Sequence, residues 1–163
     1  MTNPNYGTLT PILYFLSRMD AHKKIHVVAM DKSPFATYAF NLAMNYACLD
    51  TDEIHLVFVA RDRSVKREEI TEYLHPFRET ATGLGATSVH IVIAFGDHPG
   101  HQLLGYATEK KAETIFVGRR STDSLDRFLL GSTSKFLVEN SKCNVAIAKT
   151  DVAIRHSKSK EKE

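Results

Sequence analysis

Ile115-Phe-Val-Gly118-Arg-Arg-Ser-Thr-Asp-Ser-Leu-Asp-Arg-Phe-Leu-Leu-Gly131-Ser-Thr-Ser134 reads as a buried strand, a long polar connection and the first turn of a helix. Compact α/β units usually join strand to helix through about two to six residues, so a connection of this length asks for a functional explanation. Its chemistry suits a phosphate. Gly118 and Gly131 allow close approach and unrestricted φ, and the unpaired N–H groups of a helix N-terminus are donors aimed at an anion. Ser132, Thr133 and Ser134 add hydroxyls to those donors. A glycine followed by serine is also an ordinary loop exit and N-cap. The strand before it, the length between and the helix after favour the phosphate cradle.

The same alternation extends across most of the chain. Ile25–Met30, residues 54–60, residues 89–95, Thr114–Gly118 and Asn144–Ala148 are compact apolar runs of strand length. Between them lie helical patterns. In residues 34–49, Phe35, Tyr38, Ala39, Leu42, Ala43, Tyr46 and Ala47 repeat at three and four positions behind Pro34, a residue suited to a first helical turn. Residues 66–84 carry Ile70, Tyr73, Leu74 and Phe77 at the same spacing; Pro76 is expected to kink or split that helix, and Gly83 and Gly85 to close it. Leu103, Leu104 and Ala107 define a third helix over 100–111, and a fourth begins at Ser132. Strands alternating with helices in this way predict an α/β fold: a parallel sheet with helices on both faces, a Rossmann-like three-layer sandwich. Ligands of such sheets bind outside the carboxyl ends of the strands, where the strand order reverses. Asp31, the segment 59–61 and the long connection all leave those ends.

Composition sets the limits. At 163 residues the chain is one ordinary domain, and 43% hydrophobic with 25% charged residues is the balance of a globular protein. A net charge of +2 is too small to point to nucleic acid or to an anionic membrane. No run reaches the ~20 apolar residues of a membrane span, and the apolar cluster 12–16 has no basic region before it. Cys48 and Cys143 form no metal-type pair, and a reduced cytoplasmic setting is expected. Residues 1–22, with Pro4, Gly7 and Pro11, read as an N-terminal extension packed onto the domain, residues 23–150 as the domain, and 151–163 as a charged, disordered tail.

The segment Gly118-x2-Ser121-x9-Gly131-Ser132 resembles the nucleotide-binding signature of the universal stress protein family, Gly-x2-Gly-x9-Gly-Ser/Thr. The similarity extends over residues 25–149: a first strand ending in Asp31, a His-Leu-Val-Phe-Val second strand, Gly96-Asp97-His98-Pro99 before the third helix and an Asn-Val-Ala-Ile-Ala last strand. The resemblance implies five parallel strands in the order 3-2-1-4-5 and a homodimer formed through the last strand. It also implies an adenine nucleotide, ATP with Mg2+ or else AMP or ADP. Adenine would lie near Asp31 and the backbone at Val59, and the ribose and phosphates along Gly118, Ser121, Gly131, Ser132, Thr133 and Ser134. Arg119, Arg120 and Arg127 are candidates to add positive field. Ser121 departs from the signature: where a glycine belongs, it brings a Cβ, and at positive φ it would cost on the order of 1 kcal/mol, though its hydroxyl can donate to phosphate.

Other chemistries lack their residues. A phosphorelay receiver would need an acidic pair after the first strand, but Asp31 stands between Met30 and Lys32. No Gly-x4-Gly-Lys-Ser/Thr, third dinucleotide glycine or Gly-x-Ser-x-Gly elbow occurs. Asp97, His98 and His101 could ligate a metal in chemical terms, but capping or solvent exposure at a helix start accounts for them, and no metal site is expected. His26, His55 and His90 lie within strands as satisfied or edge histidines. Nothing sets a general base against a water, so the expectation is a binding module with at most slow ATP hydrolysis. Two readings stay open: a nucleotide-binding stress or signalling module, and a nucleotide-free dimeric interaction protein on the same scaffold.

Overall fold

The computed structural model describes residues 23–119, 130–149 and 153–154. In chain order these form β1 (Ile25–Met30), α1 (Pro34–Tyr46), β2 (Glu53–Ala60), α2 (Arg67–Gly83), β3 (Ser88–Phe95), α3 (Pro99–Lys110), β4 (Thr114–Gly118), α4 (Ser132–Asn140) and β5 (Asn144–Ala148). All five strands are parallel, in the order β3-β2-β1-β4-β5, as the family resemblance implied. The order reverses between β1 and β4, whose pairing runs from His26 opposite Thr114 to Val28 opposite Phe116. Beyond that point β1 continues against β2 as far as Met30 opposite Phe58, while β4 continues against β5 as far as Gly118 opposite Ala148. A crevice therefore opens between the two strand ends.

The period-two alternation of the strands builds two cores. Val28, Met30, Leu56 and Phe116 face α1 and α2, where they meet Phe40, Met44, Ile70 and Leu74. Val27, Val57, Ile115 and Val117 face the opposite way, onto Leu103 and Ala107 of α3 and Leu137 of α4. On α1 the buried stripe is Ala36, Ala39, Phe40, Ala43 and Met44. Tyr46, assigned to that stripe in the sequence, is 56% exposed and instead lays its ring edge on buried His26 and Phe116.

Helix ends follow from local chemistry. α1 stops at Tyr46 rather than reaching 49, because Ala47 turns extended and the Cys48 N–H donates to the Asp52 carboxylate at 2.9 Å. The same buried carboxylate lies 3.0 Å from His26 Nε2 and so ties together the starts of β1 and β2 and the end of α1. α2 runs unbroken through Pro76. Pro76 and Glu72, whose carbonyl loses its helical partner, are both exposed, and water can satisfy that group. Its C-terminus closes as expected on Gly85 (φ 106), with Ala86 N–H to Ala81 O and Gly85 N–H to Thr82 O, each 3.0 Å. Of the expected tail, Ala153 accepts from Asn45 Nδ2 at 3.0 Å and Ile154 packs against the α1–α2 core. The 1–22 extension lies outside the described residues.

α3 ends on Lys111, which holds φ 53 and ψ 46 without being glycine. Left-handed backbone at a residue with a Cβ costs about 1 kcal/mol, part of which glycine would return through a freer unfolded chain. Lys111→Gly is therefore expected to stabilise the fold by about 0.5 kcal/mol, seen as a higher urea midpoint at unchanged slope.

Candidate functional site

The crevice between β1 and β4 deepens into a cavity of about 650 Å³ at the carboxyl edge of the sheet. Seven of the eight residues proposed from the sequence line it: Asp31, Val59, Gly118, Gly131, Ser132, Thr133 and Ser134. Ser121 and the arginines at 120 and 127 lie outside the described residues. Arg119 is buried at 8% exposure, its N–H donating to Ala148 O at 2.9 Å, and it is not among the lining residues. Volumes of this size are ordinary for small-ligand and cofactor sites.

One wall is the start of α4. Gly131 is its N-cap at φ −59 and ψ 155, with no side-chain cap and no acidic residue in the first turn. The first intrahelical bond is Lys135 N–H to Gly131 O at 2.9 Å, so the N–H groups of Ser132, Thr133 and Ser134 precede the helical ladder. A Cβ built on Gly131 meets none of the described residues within 4 Å, so their packing places no demand for glycine there. The Ser134 hydroxyl donates to Gly118 O at 3.5 Å, which leaves the N–H as its contribution to the cavity.

Gly118 has a different reason. A Cβ there would overlap the carbonyl of Phe35, so the first turn of α1 occupies the space that the missing side chain frees. Its glycine serves the packing of α1 on β4. Neither Gly118 nor Gly131 uses the positive φ allowed for in the sequence; among the described residues Gly85 is the glycine that does.

Opposite α4, Asp31 Oδ1 accepts from the Ser33 N–H at 2.8 Å and from the Ser33 hydroxyl, an Asx turn that leads into α1. The turn is anchored from α2 by the Tyr73 hydroxyl, which donates to Asp31 O at 2.8 Å; burial, and then the Asp31 charge, raise the Tyr73 phenol above its ordinary value. Val59 pairs with Ala94 in the sheet, one residue before the strand ends at Ala60. Phe35, Leu103 and Val65 give the cavity apolar surface that a loop-centred sequence reading does not find, while Lys32 and Arg61 add cations and Asp62 a second carboxylate. Hydrogen bonds from Ser64, side chain first and then backbone, lower the Asp62 carboxyl below its usual value. A smaller hollow of about 200 Å³ continues past Arg61, Ser132 and Thr133 to Asp97, His98 and His101. There the His101 ring lies on Phe136 with centroids 4.2 Å apart.

Residues 23–149 match the sequence profile of the universal stress protein family. A Staphylococcus saprophyticus protein described as a universal stress protein is 26% identical over 138 residues, which covers 77% of this chain and 83% of its own length. Among solved structures, a universal stress protein in complex with cAMP superposes with a TM-score of 0.65 at 22% identity, over 78% of this chain and 98% of that one. An Arabidopsis thaliana protein of the family with AMP bound gives a TM-score of 0.60 at 19% identity, over 79% and 93%. At such identities the two structures speak to the fold, whereas the profile spans most of the sequence. The chain belongs to the universal stress protein family.

Proposed function

We propose that the protein is an adenine-nucleotide-binding module that acts in stress response or signalling as a homodimer. The observation that carries this reading is the start of α4: a helix whose N-cap is a glycine that, among the described residues, packing does not require, with none of their side chains capping its first N–H groups, at the wall of a cavity of nucleotide size. Relatives crystallised with cAMP and with AMP support the ligand class. In this reading the amides of Ser132 to Ser134 take the phosphate, Asp31 accepts from the sugar or base edge, and the backbone at Val59 meets adenine. ATP is the expected ligand, with AMP and ADP as its shorter forms. Mg2+ would arrive with the phosphates, held chiefly by them, as this hard ion usually is. The chain binds and does not turn over its ligand beyond slow hydrolysis, in the cytoplasm. Dimerisation would run through the outer edge of β5.

Ser121 is what favours the second reading, a dimeric interaction protein without nucleotide, because its Cβ stands where the signature has glycine. Denaturing freshly purified protein and identifying released small molecules by mass spectrometry, followed by titration with AMP, ADP, ATP and cAMP with and without Mg2+, separates the two. Co-purified adenine nucleotide or micromolar binding is the expected result; clean protein that binds nothing up to millimolar nucleotide would leave the nucleotide-free reading. Ser121→Gly is expected to tighten binding, and sedimentation should give twice the chain mass in either case.

A further inference from the structure

At the opposite end of the sheet, three metal-type side chains meet across the β2–β3 ladder. His55 pairs with His90 in register, and Glu53 stands two residues before His55 on the same face of β2. His55 Nε2 is 2.8 Å and His90 Nε2 3.5 Å from Glu53 Oε2, and the three ligand atoms all lie within 4.8 Å of one another. We propose that Glu53, His55 and His90 form a binding site for a divalent transition cation of the Zn2+ type, separate from the nucleotide cavity.

The geometry is close to what the ion requires. With metal–ligand bonds of about 2.0–2.1 Å, tetrahedral ligand atoms stand about 3.4 Å apart, so an ion needs about 0.6 Å of spreading between His55 and Glu53. The imidazole nitrogens, within 4.8 Å of one another, reach the same spacing by a turn of exposed His90, which exchanges the Ser88 hydroxyl 3.0 Å from its Nε2 for the ion. Two imidazoles and one carboxylate match Zn2+ and its neighbours rather than Mg2+ or Ca2+, which prefer oxygen. The His55 ring is already fixed in place, since it is 5% exposed and its Nδ1 lies 2.8 Å from the Tyr106 hydroxyl on α3. With Nε2 on the metal, Nδ1–H donates to that hydroxyl, which fixes both tautomer and ring plane. Burial above all lowers the His55 imidazole below its ordinary value, which favours the neutral ligand form. The Glu53 carboxyl is pulled down to about 2, first by the hydrogen bond from Lys23 and then by that from His55.

Lys23 Nζ takes the other oxygen of Glu53 at 2.7 Å, so Oε2 is the one turned to the imidazoles. Lys23 and Lys110, which lies over the Tyr106 ring, put positive charge near the ion and hold its affinity below that of a dedicated structural zinc site. His90 is exposed on an edge strand, so the ion keeps an open position toward water, the arrangement of exchangeable rather than structural sites. His55 is four residues from Val59, about 13 Å along β2 at about 3.3 Å per residue, too far for an ion here to touch a nucleotide's phosphates.

The test uses the full chain with any purification tag removed. Zn2+ is titrated against a chromophoric chelator, and Co2+ is added separately to read its visible absorption. One Zn2+ per chain at micromolar ion is expected, with the intense visible bands of four-coordinate Co2+ and no competition from Mg2+. His90→Ala, at an exposed position that leaves the fold intact by circular dichroism, and Glu53→Gln should each weaken Zn2+ about tenfold or more, while His98→Ala should leave it unchanged. Absence of stoichiometric binding at micromolar Zn2+, undiminished binding in His90→Ala or Glu53→Gln, or loss of binding in His98→Ala would each overturn the proposal.

Discussion

Gly118→Ala is expected to destabilise this fold by about 3 kcal/mol or more, the upper end of what overpacking costs, although it adds only one methyl group. The added Cβ would overlap the Phe35 carbonyl oxygen and lie 2.5 Å from its carbon and 2.8 Å from Phe35 Cβ. Carbonyl atoms of a first helical turn cannot rotate aside as a side chain can. Relief therefore means lifting the start of α1, which withdraws buried Ala36 from the core, or pulling Gly118 from its place opposite Ala148 and loosening β4 from β5. Urea unfolding checks this directly. Gly105→Ala is the matching control: that position lies within α3 and its Cβ would meet none of the described residues within 4 Å, so the control should hold or gain up to about 1 kcal/mol. A Gly118→Ala protein as stable as the parent would show that Phe35 does not press on the strand end.

Gly118 also carries a packing role that the sequence did not indicate. The signature marked it for phosphate approach, and the structure adds that α1 fills the space its missing side chain frees. Strand positions were legible because each is a compact apolar run with no competing period, and the central strands β1, β2 and β4 face helices on both sides. The face of α1 was harder. Its thirteen residues are apolar nearly all round, so spacing alone fitted both the stripe through Tyr38 and Tyr46 and the real one through Phe40 and Met44. Pro76 does not split α2, because the rule is steric and local, and an exposed helix face accommodates the ring. The meeting of Asp31, Val59 and Gly131 was readable from the parallel topology, which sends every strand end to one edge. Glu53, His55 and His90 were not readable together: the two histidines are far apart in sequence, and only the β2–β3 register sets one opposite the other.

Gly131→Asp is expected to weaken AMP and ATP about a hundredfold while leaving the protein as stable as before or more so. Aspartate is among the preferred N-cap residues and improves on glycine there by a few tenths of a kcal/mol. Among the described residues the Cβ has open space, and φ −59 with ψ 155 suits any residue, so none of them resists the change. What changes is the anion site. The new carboxylate accepts from the N–H of Thr133 or Ser134 in the first turn and sets a negative charge where the phosphate would sit. Two like charges about 4 Å apart at an effective dielectric near 20 repel by about 4 kcal/mol, more than enough for the loss even after solvent screening. Adenosine supplies the control, since without a phosphate it should bind parent and variant alike. Equal loss of adenosine and AMP would mean that the substitution had disturbed the cavity as a whole, and AMP binding undiminished in a folded Gly131→Asp protein would place the phosphate elsewhere than the start of α4.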